Sequence, residues 1–219
     1  MFAAQGPDIE AVAMEAENPL WDAIDKAAEI ADPARRQASL ESIVPAVRRL
    51  TADTCCGANA WYMLGYLLYM LPERMKDVSV QSEVESALSR AISIRNNFDM
   101  ARLYLGYHYY DLRQYDAAAS VLSGRTTPCL DEFYNLKWEE LRLCVNIQRF
   151  GMEKSVRYLE QFVVEARKHP PEDLWLFLLE RVVKQDSSVI SPSVRSRIFR
   201  CLEELDLLSG FDGWLTKSD

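Results

Sequence analysis

Histidine is scarce, with only His108 and His169 in 219 residues. Neither belongs to an H-E-x-x-H pair or a closely spaced ligand set, so no zinc site or imidazole-based catalysis is indicated. His169 precedes Pro170 at a predicted helix C-terminus, where its partial positive charge suits the helix dipole. Glycine and proline are also few, eight and nine, and most lie between helical stretches, which argues against long disordered tracts. Cysteine occurs five times (Cys55, Cys56, Cys129, Cys144, Cys201), an odd number with no CxxC pair. That pattern suits reduced thiols better than a disulfide framework. Cys55-Cys56 reads as a pair of small residues in an interhelix loop, while Cys144 and Cys201 read as core fillers on amphipathic helices.

Positive charge is in deficit: 25 Lys+Arg stand against 33 Asp+Glu, a net charge of −8. A phosphate backbone needs a concentrated basic surface, so nucleic acid is a poor partner. Arg35-Arg36 and Arg48-Arg49 are short basic pairs that read as solvated helix faces. No apolar run approaches the ~20 residues of a membrane span. The opening segment, MFAAQGPDIEAVAMEAENP, has early acids and no basic start before an apolar core, so a secretory leader is not expected and a cytoplasmic address follows. A G-x-S-x-G elbow, a P-loop and a Rossmann fingerprint are all missing.

What the chain does have is helix signals at short intervals, with almost no strand alternation. Asn18-Pro19 and Asp32-Pro33 each offer a cap followed by an N1 proline. Pro45 falls inside the second of these stretches and predicts a kink or break. Further helices are predicted over Ala58 to Leu71, after a possible capping box at Ser82-x-x-Glu85, and after a cap at Asp99. YDAAASVLS follows a tight turn, and GRTTPC marks a break. The segments on either side of Gly151 form a pair. Pro170-Pro171 and Ser191-Pro192 introduce the last two helices. The sum is about five antiparallel helix pairs with short connections. Residues 18–208 are expected to form a single helical-repeat domain, with 1–17 a flexible N-terminal segment and 209–219 a C-terminal tail that carries Phe211 and Trp214.

Repeated helical hairpins hide their apolar stripes most economically by stacking. Trp21, Trp61, Trp138, Trp175 and Trp214 recur at intervals of about 40 residues or twice that. Arg102 fills the skipped slot, because ARLYLGY aligns with AWYMLGY.

The segment Ala91 to Leu122 resembles a tetratricopeptide repeat. Leu105 and Gly106 match the family's Leu-Gly pair, and Tyr109 matches the aromatic of its first helix. Tyr115, Ala118 and Leu122 match positions of the second helix, and Ala91 the small residue closing the preceding one. Trp61, Leu64 and Gly65 match one unit earlier, with Leu68 in the aromatic slot. The chain departs from the pattern at Arg102, where a large apolar residue is expected, and at Asn96, where proline is usual. Arg142 stands at the glycine position of the unit around Trp138. The resemblance implies an all-α fold, a right-handed superhelix of antiparallel helix pairs, in which Gly65, Gly106 and Ala118 allow close helix crossing. It implies a binding scaffold only by analogy of fold.

In such repeats the first helix of each pair lines the concave side. Tyr62, Tyr66 and Tyr69 share one helix face, distinct from that of Leu64 and Leu68. Tyr104, Tyr107 and Tyr110 repeat the arrangement, flanked by Leu103 and Asp111. The expected equivalents in the third unit are Glu139, Glu140, Leu143, Asn146 and Ile147. These residues predict a tyrosine-rich groove grading into an acidic patch. Tyrosine provides rigid contact area together with a hydroxyl. The acidic end favours a basic protein or peptide partner. Two other readings fit the same face: intrachain packing, including against Phe211–Trp214, and a homodimer contact.

The expected function is non-catalytic: an adaptor or chaperone-like receptor, or alternatively an inhibitor or immunity protein masking a toxin's active site. Self-assembly through terminal repeats is a third reading. No catalytic residue, cofactor or metal is assigned. Glu139-Glu140 and Glu203-Glu204 are adjacent on helices and point apart, so neither is a carboxylate dyad. His108 beside Tyr104 and Asp111 is the one centre with any catalytic promise.

Overall fold

A computed structural model describes the backbone of residues 9–52, 56–71, 76–125, 131–169, 176–185 and 190–205, and side chains within those ranges from residue 19 onward, except 184 and 185. Cys55, Cys129, Pro170-Pro171, Trp175, Phe211, Trp214 and the 209–219 tail lie outside the described residues.

Every regular element among the described residues is a helix: α1 (Ile9–Ala28), α2 (Pro33–Ala52), α3 (Ala58–Met70), α4 (Val78–Ile94), α5 (Asp99–Asp111), α6 (Tyr115–Ser123), α7 (Glu132–Phe150), α8 (Met152–Ala166), α9 (Phe177–Gln185) and α10 (Pro192–Glu204). None is long and apolar enough to cross a membrane. The chain forms two compact units. The first holds α1 to α5 with Arg125, and the second holds α6 to α10.

In the first unit each helix packs on the next, and α3 also packs on both α1 and α5. The helices α1, α3 and α5 thus form one layer, with α2 and α4 laid against it. Central α3 carries no charged residue, and Met63, Leu64, Leu67 and Leu68 are all buried. A helix that is apolar nearly all round belongs in the middle of a stack. Its closest partner is α4, which runs antiparallel to it. A Cβ added to Gly65 would lie 2.5 Å from Leu88 Cγ and 2.6 Å from Leu88 Cδ2. The predicted close crossing is therefore present at Gly65. On the other layer Arg48 of α2 forms a two-point ion pair with Glu83 of α4, at 2.9 and 2.6 Å.

In the second unit α7 packs on α6, α8 and α9, and α8 packs on α10. Gly151 separates the antiparallel pair α7 and α8 with φ of 82°, a conformation glycine adopts without penalty. Arg197 of α10 forms a two-point pair with Glu160 of α8 at 2.7 and 2.6 Å.

Several predicted helix starts shift. α1 runs through Asn18-Pro19 from Ile9, so that dipeptide lies inside the helix. Pro45 does not break α2. It is exposed, as is Glu41, whose carbonyl loses its helical donor on the solvent side. α4 begins at Val78 and not after Ser82, because the Asp77 carboxylate already accepts the Ser79 N–H at 2.8 Å. Ser82 instead donates to the Val78 carbonyl from inside the helix. Asp99 is the first residue of α5 and buried, with Phe98 in the cap position. The predicted cap at Asp32-Pro33 forms, with Arg35 N donating at 2.7 Å, and Asp131 caps α7 without having been singled out in the sequence, with Tyr134 N donating at 2.9 Å. Ser191 and Pro192 do open α10, although the serine hydroxyl donates to Glu153 of α8 at 2.8 Å.

Candidate functional site

The layer of α1, α3 and α5 gathers aromatic rings on one face of the first unit. Tyr62, Tyr66 and Tyr69 come from α3, Tyr104 and Tyr107 from α5, and Trp21 from α1. Trp21 lies 5.6 Å from Tyr62 and 5.7 Å from Tyr66, measured between ring centroids. Tyr66 meets Tyr104 edge-on at 4.8 Å, and Tyr69 meets Tyr104 edge-on at 5.5 Å. Tyr107 closes the series at 6.1 Å from Tyr104 and 6.5 Å from Tyr69. Phe98, at the N-terminal cap position of α5, lies 5.0 Å from Tyr62. Tilted and edge-on contacts at these distances each contribute roughly 0.5–1.5 kcal/mol beyond burial, so the rings hold one another in place.

Trp21, Tyr66, Tyr69, Tyr104 and Tyr107 remain half-exposed, whereas Tyr62 is buried beneath them. The Tyr69 hydroxyl donates to Asp111 Oδ2 at 3.1 Å, which fixes both the ring and the carboxylate at the far end of α5. The opposite edge holds Arg95, whose guanidinium lies 4.7 Å over the Phe98 ring and donates to Asn59 Oδ1 at 3.2 Å.

The other expected site residues fall elsewhere. Leu103 and Tyr110 are buried, at 1% and 5% exposure, and belong to the core of the first unit. In the second unit Leu143 and Ile147 are buried, and so is Glu140 at 1% exposure. The reason is the phase of α7: Leu136, Glu140, Leu143, Cys144 and Ile147 share its inward face. Glu140 accepts the Leu179 N–H in the first turn of α9 at 3.1 Å and the Lys137 ammonium at 2.9 Å. It is a buried acid that caps a neighbouring helix, not a surface acid. Glu139 is half-buried and pairs with Arg142 one turn along at 2.8 Å. Asn146 is half-buried.

His108 has no exposed surface, and its former companion Asp111 is engaged by Tyr69. Tyr109 turns toward α4, where its hydroxyl donates to Glu85 at 2.8 Å. Burial, reinforced by that carboxylate, holds the phenol well above the usual tyrosine range and keeps it protonated. Burial likewise keeps the Cys144 thiol protonated, with the charge of Glu140 adding to the effect. Among the described residues no three His, Cys, Asp or Glu side chains gather where a metal ion would be held.

Trp21 and Phe98 are the ring-cluster members that the sequence reading did not place in the site. Trp21 stands one repeat interval before Trp61, and that register is the signal that would have set it beside the α3 tyrosines. Phe98 precedes α5 and carries no comparable signal. No family model matches the chain, and no curated protein or solved structure matches it.

Proposed function

We propose that this chain is a non-catalytic scaffold of tetratricopeptide-like helix pairs that holds a protein or peptide partner against the aromatic face of α1, α3 and α5. One observation carries the reading: five rings stay half-exposed while mutual contacts fix their positions. A preorganised aromatic face loses little conformational entropy on binding, and tyrosine and tryptophan are the side chains that anchor interfaces.

The test is affinity capture from native lysate, followed by titration of the recovered partner in purified form. Wild type is compared with a Tyr66→Ala/Tyr107→Ala variant whose helicity is checked by circular dichroism. Weakening of the purified complex by about tenfold or more supports the reading, since anchor truncations typically cost at least 1–2 kcal/mol. Equal affinity for the folded variant would sink it. A recovered partner that is an enzyme or toxin, and loses activity on binding, selects the inhibitor role over the adaptor role.

A further inference from the structure

The geometry points to an arginine-bearing segment of another protein as the occupant of this aromatic face. The inference rests on the function just proposed and adds the chemistry of the partner. It begins on α1, whose acids Glu10, Glu15, Glu17, Asp22 and Asp25 outnumber its one base, Lys26. Asp25 lies one turn beyond Trp21, and Asp22, Asp25 and Glu29 follow one another at helical spacing along the same side. All three are exposed, and none has a side-chain ion pair or hydrogen bond among the described residues. The carboxylate of Asp111 lies at the other side of the ring series, held by Tyr69.

Lys26, exposed on α1 beside Asp25, can offset one of these three acids, and the other nearby bases are engaged elsewhere. Arg48 is bound to Glu83 on the other layer, and Arg102 is bound to Asn96. Arg95 is bound to Asn59, and its guanidinium lies over Phe98. That last contact shows the mode in miniature, a guanidinium resting on a ring of this same cluster. Aromatic faces attract guanidinium through their quadrupole, and a nearby carboxylate adds charge-assisted hydrogen bonds. Rings bordered by the exposed acids of α1 therefore match arginine, which combines a planar cation with five donors.

The same charges disfavour two competing occupants. A second copy docked through this face would bring a chain with the same excess of acids, net charge −8. A nucleic acid would bring phosphates to the same edge.

The experiment titrates the full chain with three short synthetic peptides of matched length: arginine alternating with alanine, and its citrulline and glutamate counterparts. Citrulline keeps the shape of arginine without its charge. We expect the arginine peptide to bind about tenfold more tightly than either counterpart, and to weaken as salt rises. An Asp22→Asn/Asp25→Asn/Glu29→Gln variant should lose about tenfold in affinity for it and most of the salt dependence. A Tyr66→Leu/Tyr107→Leu variant should lose a comparable amount at constant salt. Citrulline binding as tight as arginine, or full affinity in the neutralised variant, overturns the arginine assignment. Binding indifferent to the tyrosine changes is general charge attraction and overturns it too. A citrulline or glutamate peptide that binds best, yet depends on the tyrosines, overturns the arginine inference while leaving the scaffold function standing. If no peptide binds in a tyrosine-dependent way, both fail.

Discussion

Arg102 and Asn96 close on each other across the turn that precedes α5: a single guanidinium nitrogen, Nη2, donates to the Asn96 carbonyl at 2.7 Å and to its Oδ1 at 2.9 Å. These are the two positions at which the best-matching segment departs from the tetratricopeptide pattern. They form one device. An asparagine in place of proline keeps a side-chain acceptor at the turn, and an arginine in place of a large apolar residue supplies the donor. The turn is held further by the Phe98 N–H donating to the Arg95 carbonyl at 3.0 Å.

Removing the donor should therefore cost more than removing one acceptor. Arg102→Ala loses both hydrogen bonds, and should lower stability by about 1 kcal/mol given their exposure to solvent. Asn96→Ala leaves the backbone carbonyl in place, and should cost about half as much. The double variant should be no worse than Arg102→Ala by more than a few tenths of a kcal/mol, because the pair shares one interaction. Urea midpoints of the four proteins decide this. Fully additive losses would show that the two residues act separately.

Gly65 gives a prediction whose sign opposes helix propensity. In an open helix, Gly→Ala gains up to about 1 kcal/mol. Here the new methyl group would meet Leu88 Cγ and Cδ2 well inside contact distance, with the Leu88 backbone nitrogen at 3.2 Å. Leu88 is fully buried and has nowhere to swing. Gly65→Ala should destabilise by roughly 1–3 kcal/mol, the usual cost of overpacking. Adding Leu88→Ala should cost less in that background than in wild type, because the clash disappears with the side chain. A Gly65→Ala protein as stable as wild type in chemical denaturation would refute the close crossing.

The contrast between Gly65 and Glu140 shows what the sequence makes legible and what it conceals. The Leu-Gly pair carries its own geometry: only a residue without Cβ fits where α3 meets α4, so the helix pair is readable locally. The cap at Asp32 is legible for the same reason, since donor and acceptor lie within three residues. Glu140 is different. A glutamate on a helix reads as solvent-facing, and what allows its burial is an N–H 39 positions away in α9. The phase of α7 that buries Glu140 turns Leu143 and Ile147 inward with it, against the expectation that they line a surface. Trp21 reads as a repeat marker from its spacing, but its contact with Tyr62 and Tyr66 is tertiary. The tyrosine face itself was visible in the spacing. The burial of Tyr62 and Tyr110 was not, because it depends on how the neighbouring helices pack.

The buried position of Glu140 has a consequence that a surface acid would not share. Glu140→Leu strips the Leu179 N–H of its acceptor and leaves Lys137, itself only 14% exposed, without its carboxylate. Breaking one side of such a pair costs about 3 kcal/mol or more. Replacing both partners by apolar groups is much milder, so Lys137→Met/Glu140→Leu should be more stable than Glu140→Leu alone. Guanidinium denaturation followed by helicity would show the order. A double variant less stable than the single one would mean that the ammonium–carboxylate pair is not what accommodates the buried charge.

A second acid of the same unit, Glu160, predicts a pH effect of definite sign. Its hydrogen bonds to Arg197 outweigh the opposing effect of burial and hold its carboxyl below the ordinary glutamate range. A carboxyl with a folded pKa below its unfolded one binds fewer protons in the native state, so stability rises with pH between the two values. The contribution is complete above the ordinary glutamate range and is lost as pH falls through the depressed folded value. Both side chains are 40% exposed, so solvent screening keeps the contribution small. Wild type should thus exceed Glu160→Gln in urea midpoint at neutral pH, and the two should converge under acid conditions. The neighbouring Cys201 supplies an independent readout. Burial first, and the charge of Glu160 second, push its thiol up to about 11. Removing the Glu160 charge should lower that value only slightly, so alkylation of Cys201 in the native protein stays slow near neutral pH in both forms. A midpoint difference that persists unchanged into acid would show that Glu160 stabilises α8 and α10 through packing, with no ionic contribution from Arg197.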